Sequence, residues 1–316
     1  MNQTMSFAQS VKEEIASNEY ESEQRIRALL AAFIRINGHV SFSHKTTSIH
    51  LRTENAKVAR FIYTTINSFY NKSSHIEYIQ KNNLNKRIQY EIVIDDADQI
   101  IDDLEIDFLE GKIAKNIIKN DDSIAGYLAG AFLASGSINS PATSNYHMEI
   151  VVNSENYARW MLHLFSRYKN TNIEPKIIER RGKYVIYFKK SDQIADFLIM
   201  IGAVSSCMEF ENIRVDRDFT NSANRLTNFD VANMKKTVSA GQKQIEQIKA
   251  IDKVIGIDNI TNKKARILCH LRLENESASL LELARLLSEE INTPVSKSNI
   301  NHLFRYLNNL YSRVGK

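Results

Sequence analysis

The spacing of apolar residues along the first 200 positions changes repeatedly between the helical period and the alternation of a half-buried strand. Helical spacing predicts helices at about residues 22–36, 55–70 and 122–135, and in the segment with the apolar set Tyr157, Trp160, Met161, Leu164, Phe165 and Tyr168. Strands are predicted between the helices, at HVSFS, TTSIHLRT, HIEYIQ, IQYEIVI, YHMEIVV, NIEPKIIER and KYVIYFKK, with one more near Gly136–Asn139. Arg181 and Gly182 separate the last two strands and predict a tight hairpin turn.

The predicted elements occur twice in the same order, at an offset of about 98–100 residues. Each copy has the order αββαββα, and SDQIADFLIMIG of the second copy matches DADQIIDDLEI of the first. We therefore expect two four-stranded antiparallel sheets with helices on one face, and the aromatic set from Tyr157 to Tyr168 in the core. The predicted fold class is α+β, with a duplicated αββαββα domain followed by an all-α domain.

Two helices, one in each copy, carry small residues four positions apart on one face. Such a face lets two helix backbones approach closely and cross. The set is Ala28, Ala32 and Gly38 in LLAAFIRING, and Gly126, Gly130 and Gly136 in YLAGAFLASG. Gly38 and Gly136 stand where a left-handed residue would end each helix.

The segment LAGAFLASG at residues 128–136 resembles the LAGLIDADG motif of homing endonucleases, and the duplicated αββαββα pattern is the architecture of that family. In those nucleases the acidic residue before the closing glycine of each motif helix binds a divalent metal ion above the scissile phosphates. Carboxylate oxygens are needed there because they hold the ion that stabilises the attacking and leaving oxygens.

Both metal-binding positions of the motif lack a carboxylate in this chain: they hold Asn37 and Ser135. The other motif acid is replaced by Arg35 and by Leu133. Asp121 and Asp122 lie 13 or 14 residues before Ser135, roughly 20 Å along a helix, and cannot substitute. We expect no catalytic residue, no metal and no cofactor, so the chain is predicted not to be an enzyme. A metal-dependent endonuclease remains an alternative.

Composition changes this picture little. The formal net charge is +4, with 43% hydrophobic and 25% charged residues, which permits nucleic acid binding without requiring it. No apolar run approaches 18 residues, so we expect a cytoplasmic protein without a membrane partner.

The histidines and cysteines do not predict a metal site. His39, His44 and His50 lack a fixed ligand spacing and are expected to be surface or half-buried imidazoles. Cys207 and Cys269 lie too far apart in sequence to predict a zinc site.

Residues after about 203 are helical and Asn-rich, and we expect them to pack as long helices against the first domain. Three helices follow, and Ser296 is suited to cap the last of them. Its apolar residues Ile300, Leu303, Phe304, Leu307 and Leu310 share one face. Its opposite face and cap supply the predicted DNA-binding set Ser296, Lys297, Ser298, Asn299, Asn301, His302, Arg305 and, at the margin, Tyr306.

Short polar and cationic side chains in the first turns are what a recognition helix needs in the major groove. Arg305 suits guanine, and Asn299 or Asn301 suits adenine. Lys297 and the N–H groups of the first turn suit phosphate. The predicted domains are a helix at 1–20, repeats at 21–118 and 119–213, a helical linker at 214–252, and a helix-turn-helix domain at 253–316 with its motif at about 278–311.

The whole chain is similar to the WhiA family of bacterial DNA-binding regulators, through MSFAQSVKEEI, YLAGAFLASGSI, YHMEI, NRLTNFDVANMKKTV and VSKSNINHLFRYLNNL. The resemblance implies a degenerate LAGLIDADG domain joined to a helix-turn-helix. It further implies a nucleoid-associated transcriptional regulator linked to cell division and chromosome segregation. Its partners would be double-stranded promoter DNA, with other transcription regulators or RNA polymerase as further candidates.

The sheets offer a second candidate surface for nucleic acid. Homing endonucleases lay their sheets on DNA, although charged hairpin tips are more often only solvated. The candidate cations are Lys45, Arg52, Lys86, Arg87, Arg180, Arg181, Lys183, Lys189 and Lys190. An RNA-binding role is another alternative, because some LAGLIDADG relatives act as maturases.

Overall fold

The computed structural model describes residues 5–43, 46–72, 74–80, 88–108, 116–143, 145–169 and 171–314. The chain forms two compact units, Met1–Arg217 and Asp218–Lys316. Among the described residues, no helix has the length and hydrophobicity that a bilayer span requires.

The first unit contains the predicted repeat. After α1 (Phe7–Ser17), the first copy consists of α2 (Glu23–Asn37), β1 (Gly38–Ser43), β2 (Thr46–Thr53), α3 (Ala56–Tyr70), β3 (Ser74–Gln80), β4 (Ile88–Ile94) and α4 (Asp98–Asp103). The second consists of α5 (Asp121–Ser135), β5 (Gly136–Ile138), β6 (Met148–Val152), α6 (Glu155–Arg167), β7 (Lys176–Arg180), β8 (Lys183–Phe188) and α7 (Ser191–Met200). The strand orders β1-β2-β4-β3 and β5-β6-β8-β7 are equivalent, and every pairing is antiparallel, as predicted.

The helices α2 and α5 lie against each other in the centre of this unit. Residues 123–133 of α5 are all buried, which explains why that helix has no polar face. A Cβ atom added to Gly126 would lie 2.3 Å from the carbonyl oxygen of Arg25, and one added to Gly130 would lie 2.1 Å from that of Leu29. The two glycines therefore allow direct backbone contact between the helices.

The predicted left-handed ending of these helices is wrong. Gly38 has φ −78° and ψ 138°, and Gly136 has φ −71° and ψ 146°, both extended. The reason is that β1 and β5 begin at these residues, so the chain passes from helix to strand without a turn. Glycine is required there for space, because an added Cβ would lie 2.4 Å from the Ile34 carbonyl oxygen or 2.2 Å from the Phe132 ring.

The hairpin between β7 and β8 has the predicted tight turn. Arg181 has φ 55° and Gly182 has φ 71°, so both central residues are left-handed, as a two-residue hairpin requires. The aromatic set is also in the core as predicted: Tyr157 and Phe165 are buried, and Trp160 packs half-buried beside them.

A single 52-residue helix, α8 (Val204–Ile255), replaces the several helices expected after residue 203. No proline interrupts this segment. Its first turn is capped by Glu14 of α1, whose carboxylate accepts hydrogen bonds from the Ser205 and Ser206 amides at 2.6 and 2.8 Å. The side chains of residues 218–236, in the middle of α8, are exposed.

The C-terminal unit contains α9 (Lys263–Glu274), α10 (Leu280–Ile291) and α11 (Lys297–Val314), preceded by a short 3-10 turn at Ile257–Asn259. Its core is formed mainly by Leu268, Leu283, Leu287, Ile300, Phe304 and Leu307. Ile248 and Ile251, from the last turns of α8, also belong to it. Structurally, the end of α8 is thus part of this unit, although these residues precede the predicted boundary at 253.

Candidate nucleic-acid interface

The α11 helix separates an apolar face from a polar one at its N-terminal end. Ser296 caps it, and its hydroxyl accepts a hydrogen bond from the Asn299 amide at 3.2 Å. Ile300, Phe304 and Leu307 face the core. The predicted DNA-binding residues Ser296, Lys297, Ser298, Asn299, Asn301, His302 and Arg305 are all exposed, and Tyr306 is half-buried.

The turn between α10 and α11 is fixed by a side chain of α10. The Ser288 hydroxyl donates to the Ala284 carbonyl at 2.6 Å and accepts from the Val295 amide at 2.9 Å. Asn292 ends α10 in the left-handed conformation, with φ 50°. The direction in which the chain enters α11 is therefore set by hydrogen bonds rather than by apolar packing alone.

Arg272, in α9, packs against the buried face of α11. The sequence analysis did not identify this residue. It is 1% exposed, and its Nη1 donates to the carbonyls of Asn275, Glu276 and Ala278 at 3.3, 3.3 and 2.7 Å. Its guanidinium carbon lies 5.7 Å from the centre of the Phe304 ring. The residue thus connects the α9–α10 loop to the buried face of α11.

The exposed face of α11 is cationic without acidic neighbours of its own. No Asp or Glu occurs from residue 297 to the C-terminus. Within the described parts of the chain, no acidic side chain forms an ion pair with Lys297 or Arg305. Both cations remain available to an external anion.

A cavity of about 530 Å³ lies at the C-terminal ends of the two motif helices. Arg35, Asn37 and Ser135 line it, and the Asn37 amide donates to the Arg52 carbonyl at 2.7 Å. The Asn37 side chain therefore connects α2 to β2. Asp122 lies at the opposite end of α5, where it pairs with Arg25 at 3.0 Å. The described residues contain no group of three or more His, Cys, Asp or Glu suited to a metal ion.

Several of the candidate sheet cations form internal ion pairs. Arg52 contacts Glu91 at 2.9 Å, and Arg180 contacts Glu149 at 3.1 Å. Although burial acts to raise the pKa of Glu149, hydrogen bonds from His147 and Arg180 lower it overall. Lys190 lies 3.7 Å from Glu174, and the Lys189 ammonium lies over the Tyr187 ring. Arg181 is in the exposed turn, and Lys183 lines the cavity described above. Lys45, Lys86 and Arg87 lie outside the described residues.

Two members of the series His39, His44 and His50 lie among the described residues. His39 is exposed, whereas His50 is half-buried between the Ser41 hydroxyl at 3.1 Å and the Glu91 carboxylate at 3.3 Å. His44 lies outside the described residues.

Three family models match successive parts of the chain. They are described as the WhiA N-terminal LAGLIDADG-like domain at residues 23–107, the WhiA LAGLIDADG-like domain at 124–220, and the WhiA C-terminal HTH domain at 223–311. A relative in Staphylococcus aureus strain USA300, named "Probable cell division protein WhiA", is 38% identical over 314 residues, 98% of each chain. This chain belongs to the WhiA family.

Two solved structures have the same fold as this chain. A full-length WhiA protein from Thermotoga maritima matches with a TM-score of 0.60 and 23% identity, covering 98% of this chain and 99% of the other. A structure of the N-terminal LAGLIDADG domain of WhiA matches with a TM-score of 0.51 and 21% identity, covering 64% and 93%. The α+β class, with LAGLIDADG-like repeats followed by a helix-turn-helix domain, is therefore confirmed.

Proposed function

We propose that this WhiA-family protein is a sequence-specific DNA-binding regulator of transcription. The observation that carries the proposal is the N-terminal half of α11, which exposes short polar and cationic side chains while its apolar face is held in the core. A helix with this distribution can enter the major groove without loss of core packing. Arg305, Asn299 and Asn301 are the proposed base contacts, and Lys297 is the proposed phosphate contact.

The name of the S. aureus relative supports a role in cell division. The regulated genes are proposed to serve division and chromosome segregation, and the DNA partner is double-stranded promoter DNA in the cytoplasmic nucleoid. Other transcription regulators or RNA polymerase are the proposed protein partners.

The repeat domain is proposed to have no nuclease activity. Asn37 and Ser135 occupy the motif positions where carboxylates would be needed, and Asn37 is engaged with the Arg52 carbonyl. Incubation of the full chain with supercoiled DNA and Mg²⁺ or Mn²⁺ tests this. Cleavage that co-purifies with the protein and disappears on substitution of the motif helices would establish the endonuclease alternative.

Genome-wide mapping of bound DNA, with the chain lacking residues 278–311 as a control, tests the main proposal. Enrichment at discrete promoters that depends on this segment is the expected result. Uniform recovery of DNA by both proteins would contradict sequence-specific binding. Competition between a recovered promoter duplex and structured RNA then separates the DNA-binding role from the RNA-binding, maturase-like alternative, since only the former predicts that the duplex competes better.

A further inference from the structure

The cavity between the ends of α2 and α5 contains polar groups that lack partners. Arg35 Nη1 and Ser135 Oγ are both buried, and neither has a hydrogen-bond partner in the described protein. Buried guanidinium and hydroxyl groups without partners are uncommon, because each loses its hydration without replacement. Both residues line the cavity, so a ligand with acceptor atoms that enters it supplies what they lack.

The Arg35 side chain is held in place by aromatic residues. Its guanidinium carbon lies 5.3 Å from the centre of the Tyr157 ring. The Tyr157 hydroxyl is in turn hydrogen-bonded to the Tyr127 hydroxyl at 2.6 Å, in the protein interior. Burial raises the pKa of Tyr127 to about 12, so this pair remains uncharged at neutral pH. The cation is thus fixed before any ligand binds.

The charge of the cavity favours an anion. Lys183 of β8 also lines it, and the described lining contains no Asp or Glu. Asn153 and Ser154 also line it, and Ser154 caps the N-terminus of the 13-residue helix α6. The partial positive charge of that helix end adds to those of Arg35 and Lys183.

We infer that this cavity binds a small phosphorylated ligand of about nucleotide size. A guanidinium, an ammonium, a hydroxyl and a helix N-terminus together match the oxygens of a phosphate group. The volume of about 530 Å³ greatly exceeds that of one phosphate and lies within the usual range of small-molecule sites. The site lies in the repeat unit, so the inference does not depend on DNA binding by α11.

Calorimetric titration of the full chain with inorganic phosphate, AMP and ATP, at ionic strength matched with NaCl, tests the inference. We expect at least one of these probes to bind one to one. Arg35→Met should weaken that binding roughly tenfold or more, and Lys183→Ala by about three- to tenfold. Arg181→Ala, in the exposed turn of the same hairpin, is the matched control and should leave binding unchanged. Lys183 is exposed, so its substitution tests the site even if Arg35→Met alters folding.

The proposal is overturned if none of the three probes binds the wild-type chain at millimolar concentration, or if Lys183→Ala and Arg35→Met bind them as well as the wild type. It is also overturned if these two variants lose affinity only for duplex DNA, since the cavity would then hold a backbone phosphate. Arg305→Ala separates this inference from the proposed function, because it should lower DNA affinity without changing nucleotide binding.

Discussion

Gly130 of α5 lies directly on the backbone of Leu29 of α2, with space for no side-chain atom between them: a Cβ at residue 130 would be 2.1 Å from the Leu29 carbonyl oxygen and 2.9 Å from its Cα. Backbone atoms cannot move aside as the end of a side chain can. The glycine therefore determines the distance between the two central helices, and with it the relative position of the two repeats.

Gly130→Ala is expected to destabilise the repeat unit by about 3 kcal/mol, because the helices must separate to admit one methyl group. Gly182→Ala is the matched control, because nothing lies within 4 Å of an added Cβ there. Its only cost is the left-handed backbone, with φ 71°. We expect that cost to be about 1 kcal/mol. Urea unfolding monitored by far-UV circular dichroism compares the two. Equal losses in both variants would contradict the close-contact role of Gly130.

Arg272→Met is expected to destabilise the C-terminal unit by about 2–4 kcal/mol, because three carbonyl groups lose a shared buried donor. Arg285→Met, whose guanidinium is exposed and paired with Glu289, should cost less than about 0.5 kcal/mol. Thermal unfolding of both variants measures the difference. An Arg272 variant as stable as the Arg285 variant would show that the buried bonds contribute little.

Because of Lys12, we expect the free energy of unfolding to change with pH in the alkaline range. Burial lowers its pKa to about 8 from 10.5, against the opposing charge of Glu54, and its Nζ lies 5.8 Å from the centre of the Phe132 ring. Between these two pH values the unfolded chain binds more protons than the folded one, so this contribution to stability rises with pH.

Lys12→Met should therefore be more stable than wild type below pH 8, by up to about 3 kcal/mol. The advantage should shrink as the pH rises from about 8 to about 10.5. Urea unfolding at a series of pH values measures it, with Lys57→Met as the exposed control. A difference between Lys12→Met and wild type that is constant across this range would refute the assignment.

Loss of the proposed base contact, Arg305, and loss of the proposed phosphate contact, Lys297, should have different effects on DNA binding. Arg305→Ala is expected to cost roughly 1–3 kcal/mol of binding free energy and to relax specificity at one base pair. Lys297→Ala should weaken binding to all sequences and reduce the slope of log K against log salt concentration by about one. Fluorescence anisotropy on a promoter duplex and its single-base variants, at several salt concentrations, distinguishes them.

Arg313→Ala serves as the control for both, because Arg313 is exposed on the same helix but roughly 12 Å beyond Arg305. If Lys297→Ala and Arg305→Ala both bind like wild type, the α11 face is not the interface.

Periodicity predicted the elements of the repeat well, because apolar spacing directly reflects burial. It could not predict the conformation of Gly38 and Gly136, since glycine fits both a left-handed cap and a close approach in extended backbone. Gly241, inside α8, shows the same limit. An added Cβ there would be 2.9 Å from the Glu276 carbonyl oxygen, and a contact so far away in sequence cannot be predicted from local spacing.

The sequence predicted those site residues whose exposure follows from a single helix. It missed those whose position depends on contacts between several segments. The exposed and buried faces of α11 follow from local spacing. Arg272 was missed because a cation between Leu271 and Leu273 normally points to solvent, and its partners are backbone carbonyls, which leave no sequence signal. Lys183 was predicted only as a sheet cation, because its position at the cavity depends on the pairing of the two repeats.

The crossing of α2 and α5 also determines how the chain can be divided. Each repeat covers the central helix of the other, so each behaves as one subunit of a dimer that happens to be covalently joined. A polypeptide cut between α4 and α5 should reassemble from its two fragments by complementation. Neither fragment is expected to persist as a monomer, because its motif helix would be left facing water.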